Sequence, residues 1–225
     1  SHTGGGAVGH AASEARSGAS ATKGCCSCCH TMNTTTEDLV AQLDVSRETL
    51  IRLRTYVALV EKWQARVNLI SPTTLPDIWH RHIWDSAQLV LLLAGKTPSI
   101  MDVGSGAGFP GLVLAIMKDC PVTLVESDQK KSIFLQTVIR ECGLQATVLT
   151  QRVEALDRQD VDLITARALA PVDRLLALLD RQLAPSDQNG PMRCLFLKGQ
   201  SVHEELTCLD DRPHISWQLH PSLTN

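Results

Sequence analysis

From residue 100 onward, short apolar runs alternate with longer stretches whose apolar residues recur every three or four positions. The short runs fall at 100–103, 121–126, 145–150, 162–167, 193–199 and 215–219. Each is bounded by turn residues or charge, which reads as a buried strand. Between them lie helical patterns. One begins at Leu112 and runs through Met117; another follows a Ser127-Asp128 cap through Lys130, Ile133, Phe134, Val138 and Ile139 to Gly143. A third opens at Pro171 and carries Leu175, Leu176, Leu178, Leu179 and Leu183, and a fourth covers 201–209. Strand and helix in alternation predict an α/β fold, with a mainly parallel sheet, helices on both faces and right-handed crossovers.

The pattern upstream is purely helical. Leu50, Leu53, Val57, Val60, Trp63 and Val67 mark one apolar face, Ser46 supplies an N-cap, and Pro72 closes the stretch. Residues 75–93 predict a second helical segment containing Trp79-His80-Arg81-His82-Ile83-Trp84-Asp85-Ser86. His80 and His82 cannot share a helix face, whereas His82 and Asp85 can do so and hydrogen-bond. A short helix is predicted over 37–43. Residues 1–31 are rich in Ser, Gly, Ala and Thr without apolar periodicity, a composition that cannot offset the entropy of ordering. They read as a disordered tag or upstream extension, residues 32–96 as a helical extension, and residues 97–225 as the α/β domain.

Composition narrows the class. With 225 residues, 44% apolar and 20% charged, the chain suits one globular domain and an appendage. A formal charge of −3 leaves no global basic footprint for free nucleic acid. No apolar run approaches the roughly 18–20 residues that span a bilayer, so no membrane association is expected. Eight cysteines suggest disulfides, but Cys120, Cys142, Cys194 and Cys208 are scattered through the α/β pattern. They read as reduced and structural, which suits a cytoplasmic protein. Cys25, Cys26, Cys28, Cys29 and His30 contain two overlapping C-x-x-C pairs but no second half-site, so no metal is expected.

The richest stretch is Asp102-Val103-Gly104-Ser105-Gly106-Ala107-Gly108-Phe109-Pro110-Gly111, where the first strand meets a helix start. Glycines there admit positive φ and let a ligand approach bare backbone, and Pro110 suits a first helical turn. Gly106 to Gly111 also satisfies the dinucleotide pattern G-x-G-x-x-G, a weak signal alone. Asp102, two residues before Gly104, favours a cationic sulfonium cofactor instead and is placed to accept from loop amides. Glu126 ends the second strand and can accept from both ribose hydroxyls of an adenosyl ligand. Gly104, Glu126, Arg152 to Glu154, Arg167 and Lys198 all fall at strand carboxyl ends, the ligand-binding rim of such sheets.

Several segments together resemble one family, the bacterial 16S ribosomal RNA guanine-N7 methyltransferases (RsmG, or glucose-inhibited division protein B). They are Lys62-Trp63, Asn68-Leu69-Ile70-Ser71, Arg81-His82-Ile83-Trp84-Asp85-Ser86, the glycine stretch, Arg152-Val153-Glu154, Ala166-Arg167-Ala168 and Leu197-Lys198-Gly199-Gln200. The resemblance implies a class I S-adenosylmethionine-dependent methyltransferase fold, Rossmann-like, and S-adenosylhomocysteine as product. It implies cofactor contacts from Asp102, Gly104, Gly106, Gly108, Phe109, Glu126, Val153, Glu154 and Arg167. The substrate would be 16S ribosomal RNA, within the small subunit or an assembly intermediate, bound by a monomer. Arg167 is the candidate for placing it, with Arg81, His82, Arg152 and Lys198 as further substrate contacts. The basic residues Arg47, Arg52, Arg54, Lys62 and Arg66 are either a solvated helix face or part of an RNA-facing strip. The family's terminal apolar strand has no counterpart before Asn225.

Guanine N7 carries a free lone pair, so methylation there needs orientation rather than a general base. An arginine that reads O6 must leave N7 open. Two alternatives stay open on the sequence: a class I methyltransferase with another substrate, and a non-catalytic cofactor- and RNA-binding module. A nicotinamide dehydrogenase fits less well with Asp102.

Overall fold

The computed structural model describes residues 45–93, 97–183, 192–199, 201–209, 212 and 215–224. All belong to the compact unit 33–225; the 1–31 segment with its cysteines and the 37–43 helix lie outside the described residues. Five parallel strands form one sheet: β1 (Ile100–Val103), β2 (Val122–Val125), β3 (Ala146–Leu149), β4 (Leu163–Arg167) and β5 (Arg193–Leu197). Their order is β3-β2-β1-β4-β5, the doubly wound Rossmann-like arrangement with its switch point between β1 and β4.

Alternation along each strand feeds two cores. On one face Ile100, Val122, Leu124 and Leu163 pack with α2 (Gly111–Lys118) and α3 (Gln129–Cys142), through Leu112, Ile116, Phe134 and Val138. On the other, Met101, Val103, Val125, Ile164 and Ala166 meet Leu175 of α4 (Val172–Leu178) and the following Leu179. α5 (Asp180–Leu183) and α6 (Val202–Leu206) complete the helical set. Asp128 Oδ1 accepts from the amides of Lys130 and Lys131 to open α3, and Gly143 ends it at φ 62°.

The N-terminal helix α1 (Arg47–Gln64) is capped by Ser46, whose Oγ accepts from the Thr49 amide at 3.1 Å. It ends three residues before Val67, and the cause is Gln64 rather than Pro72. The Gln64 carboxamide accepts from the amides of Leu69 and Ile70 and donates to the Ile70 carbonyl at 2.7 Å, closing the turn. Leu53, Tyr56, Val57 and Val60 of α1 are buried in the same core as α2 and α3.

Residues 75–93 are helical but change pitch: 3₁₀ at Leu75–Asp77, π at Trp79–Trp84, one α turn at Asp85–Ala87, then 3₁₀ at Gln88–Leu93. The predicted His82–Asp85 hydrogen bond is replaced by His82 Nε2 to Thr74 Oγ1 at 2.9 Å, while Asp85 turns to other partners. The predicted strand at 215–219 is irregular chain outside the sheet. Ile215 packs on Val172, Leu176 and Leu209, and further along the Leu223 amide donates to Gln88 Oε1, so side chains rather than a strand ladder hold this segment.

Tyr56 joins α1 to the loop after β1. Its hydroxyl is fully buried and donates to the Ala107 carbonyl at 2.5 Å, and burial lifts its pKa well above 10. Tyr56→Phe would strand that carbonyl, and it is expected to lower unfolding free energy by about 1–3 kcal/mol in urea titration. A loss below ~0.3 kcal/mol would contradict this tie.

Candidate active site

β1 runs into the glycine loop, where Gly104 is required by its positive φ and Gly111 by close approach. Gly104 takes φ 66°, and a Cβ on it would lie 2.6 Å from Leu169 Cδ1. Gly111 opens α2 directly over the strand, where a Cβ would sit 2.7 Å from Asp102 Cβ and 2.9 Å from its Cγ. Pro110 precedes this helix at the N-cap position rather than within its first turn. Glu126, buried at the end of β2, fastens the loop: Oε2 accepts from the Gly106 amide at 2.8 Å and Oε1 from the Asp128 amide at 2.7 Å.

These strand ends surround a cavity of about 460 Å³, within the ~300–1,000 Å³ range of small-molecule sites. Gly104, Gly106, Glu126, Arg152, Val153, Glu154 and Arg167 line it. Lys131 and Arg174 also line it. Sequence reading passes over both, although each sits in the first turns of a helix that follows a rim strand. With Arg152 and Arg167 they make four cations against Glu126 and Glu154. A chain of net charge −3 therefore carries a locally positive pocket.

Asp102, Gly108 and Phe109 take other places. Asp102 is wholly buried beneath the loop, with Oδ1 accepting from Thr165 Oγ1 at 2.8 Å across the β1–β4 register. Its Oδ2 has no hydrogen-bond partner, and it is Glu126 that takes the Gly106 amide. Burial pushes the Asp102 carboxyl up to about 6, against the pull of the Thr165 and Ser105 hydroxyls and of the Gly111 amide, a loop amide of the kind expected to face it. Gly108 is buried in the loop. Phe109 lies behind the cavity, its ring 5.2 Å from Tyr56 and 5.0 Å from His82 between centroids.

Arg167 ends β4 with its guanidinium 5.9 Å over the Phe109 ring. Nη2 donates to the Arg81 carbonyl at 2.6 Å and lies 3.4 Å from Asp85 Oδ2, while the buried Nη1 has no partner. Arg81 therefore reaches the site through its carbonyl, its side chain being exposed. His82 is buried, and burial together with the neighbouring Arg167 and Arg81 charges lowers its pKa to about 3. It stays neutral through the physiological range. Lys198 is held inward, donating to the Ala170 carbonyl and pairing with Glu205 Oε2, both at 2.6 Å. It supports the loop after β4, in which Ala168 adopts φ 49°. Among the described residues no helix is long and apolar enough to cross a membrane.

Comparison with known proteins points to one family. The family model described as rRNA small subunit methyltransferase G (GidB) matches residues 49–223. A protein of Paramagnetospirillum magneticum named ribosomal RNA small subunit methyltransferase G is 47% identical over 189 residues, covering 84% of this chain and 90% of its own. The protein of that name from Rhodospirillum rubrum is 49% identical over 173 residues, 77% of this chain and 84% of its own. That from Gluconobacter oxydans is 47% identical over 182 residues, 80% and 91% respectively.

The raised Asp102 pKa fixes a pH signature. The folded state holds this proton more tightly than the unfolded chain, so its contribution is complete below about pH 4 and is lost as pH rises through about 6. Asp102→Asn removes the titration, so its stability relative to the native chain should improve by about 2 kcal/mol between pH 4.5 and pH 8. Denaturant titrations at the two pH values measure this; a pH-independent difference would refute the assignment.

Proposed function

The chain belongs to the rRNA small subunit methyltransferase G (GidB) family, and from that premise we propose that it methylates N7 of a guanine in 16S ribosomal RNA. The carrying observation is the rim itself. Gly104, Gly106, Glu126 and Arg167 arrive from the carboxyl ends of three different strands and meet around one cavity. S-adenosylmethionine suits it: Gly106 leaves bare backbone there, Glu126 faces the cavity as an acceptor, and Val153 and Glu154 close another side. When bound, that cofactor supplies an electrophilic methyl group.

The residues then act by placement. Glu126 keeps the loop in its cradle form through the Gly106 amide. Arg167 offers Nη1, buried and unpartnered, to an acceptor on the incoming base. N7 attacks through its own lone pair, so no side chain has to remove a proton, and His82, neutral and bonded to Thr74, is not asked to. Lys131, Arg152 and Arg174 give the mouth the sign that attracts a phosphate backbone. In this reading residues 97–225 form the transfer domain and 32–96 a helical extension, and a monomer works in the cytoplasm on the assembling or assembled small subunit.

The test is label transfer from methyl-labelled S-adenosylmethionine to unmodified small subunits, to naked 16S RNA and to a control without RNA. One labelled guanine N7, with subunits preferred over naked RNA, is expected. Label in the control, or at another atom, would overturn the reading. Arg167→Ala should reduce transfer by about tenfold or more while the far-ultraviolet circular dichroism spectrum is unchanged; near-native transfer would remove Arg167 from the site.

A further inference from the structure

The geometry points to Asp85 as a positioning residue that, with the Arg81 carbonyl, occupies Arg167 Nη2 and restricts this arginine to a single-point contact with the target base. The inference rests on the reading of Arg167 given above and adds what limits it.

A guanidinium presents two forks to a two-point acceptor, one from Nε and Nη2 and one from Nη1 and Nη2. Both forks use Nη2. Here one Nη2 hydrogen goes to the Arg81 carbonyl at 2.6 Å, and Asp85 Oδ2 faces the same nitrogen as an ion pair at 3.4 Å, so the nitrogen that both forks share is held toward the protein. Nη1 remains, buried and without a partner. The consequence matters for guanine, because the two-point grip of an arginine on its O6 and N7 edge is the commonest specific contact to that base. Such a grip would cover the atom to be methylated. A lone Nη1 can hold O6 and leave N7 uncovered.

The carboxylate is itself prevented from turning. Asp85 Oδ1 accepts from Gln88 Nε2 at 2.9 Å and from Thr224 Oγ1 at 3.2 Å. Gln88 is fixed in turn, with Nε2 also donating to the Asp85 carbonyl and Oε1 accepting from the Leu223 amide at 2.8 Å. Only Oδ2 is therefore turned to the arginine. Below the guanidinium the Phe109 ring sets its plane, and His82 adds no charge to compete for Asp85. The groups facing Arg167 thus include a carbonyl, one carboxylate oxygen and an aromatic face, and Nη1 is left unpartnered.

A double-mutant cycle tests this. Wild type, Asp85→Asn, Arg167→Ala and the double variant are compared for methyl transfer to unmodified small subunits, with kcat and KM separated. Asparagine keeps an acceptor for Gln88 and Thr224 but loses the charge on Nη2. Asp85→Asn should lower kcat by about tenfold without raising KM for the subunit, as a non-productive grip on N7 demands. In the Arg167→Ala background the same change should cost less than about twofold. Asp85→Glu, which restores the charge, should recover part of kcat. An undiminished Asp85→Asn effect in the Arg167→Ala background would overturn the inference while leaving the methylation reading intact. So would an effect confined to KM. A wild-type chain that places no label on the subunits would overturn both.

Discussion

One carboxylate holds the site in register. Glu126 gives one oxygen to the amide of Gly106 and the other to the amide of Asp128, so the loop after β1 and the entry to α3 are fastened to the same side chain. Both are termini of elements whose positions the sheet already dictates. The side chain converts that coarse arrangement into a fixed cradle, because two backbone N–H groups donating to one planar carboxylate leave it little freedom. Tyr56 fixes the same loop from the opposite side, through the Ala107 carbonyl. The cavity keeps its shape between these two attachments, one ionic and one neutral.

Around that cradle the protein tolerates unsatisfied polar atoms that an ordinary core would not. Asp102 Oδ2 and Arg167 Nη1 are both buried without hydrogen-bond partners, and the first belongs to a carboxyl whose proton affinity burial has raised. Such atoms cost stability. They stand on either side of the β1–β4 switch point, where the sheet is built to receive a ligand. The Arg167 guanidinium is at once stabilised by Asp85 and Phe109 and incompletely satisfied. A group in that condition is poised to accept a further contact, and positioning without acid–base chemistry needs no more than that.

Most of the fold is legible in the sequence because strand and helix periods differ sharply from residue 100 onward. The cap of α3 at Asp128 and its stop at Gly143 follow from local chemistry, and so does the cap of α1 at Ser46. What escaped was non-local. Nothing in the sequence shows that a glutamine side chain ends α1, or that Tyr56 is wholly buried against a loop 51 residues away. The 75–93 segment reads as one helix because its apolar content is high, yet its pitch changes along its length, and the Arg81 carbonyl that meets Arg167 lies in its π-helical part. At the site, residues at strand ends were legible by topology. Lys131 and Arg174 were not, because helix-borne cations resemble solvated charge until the rim is assembled. Lys198 was at the expected place but turned inward to Glu205.

The packing of Gly111 on Asp102 has a further consequence. A methyl group at 111 would overlap the Cβ and Cγ of the aspartate and the Cδ2 of Leu124. Leu124 can swing a terminal methyl aside, but the aspartate, anchored to Thr165 on the neighbouring strand, cannot move away. Positions 102 and 111 are therefore not free to drift separately. Because the nearest contact is the Asp102 Cβ itself, a side chain at 111 demands either a glycine at 102, which gives up the buried acid, or a shift of the helix start away from β1.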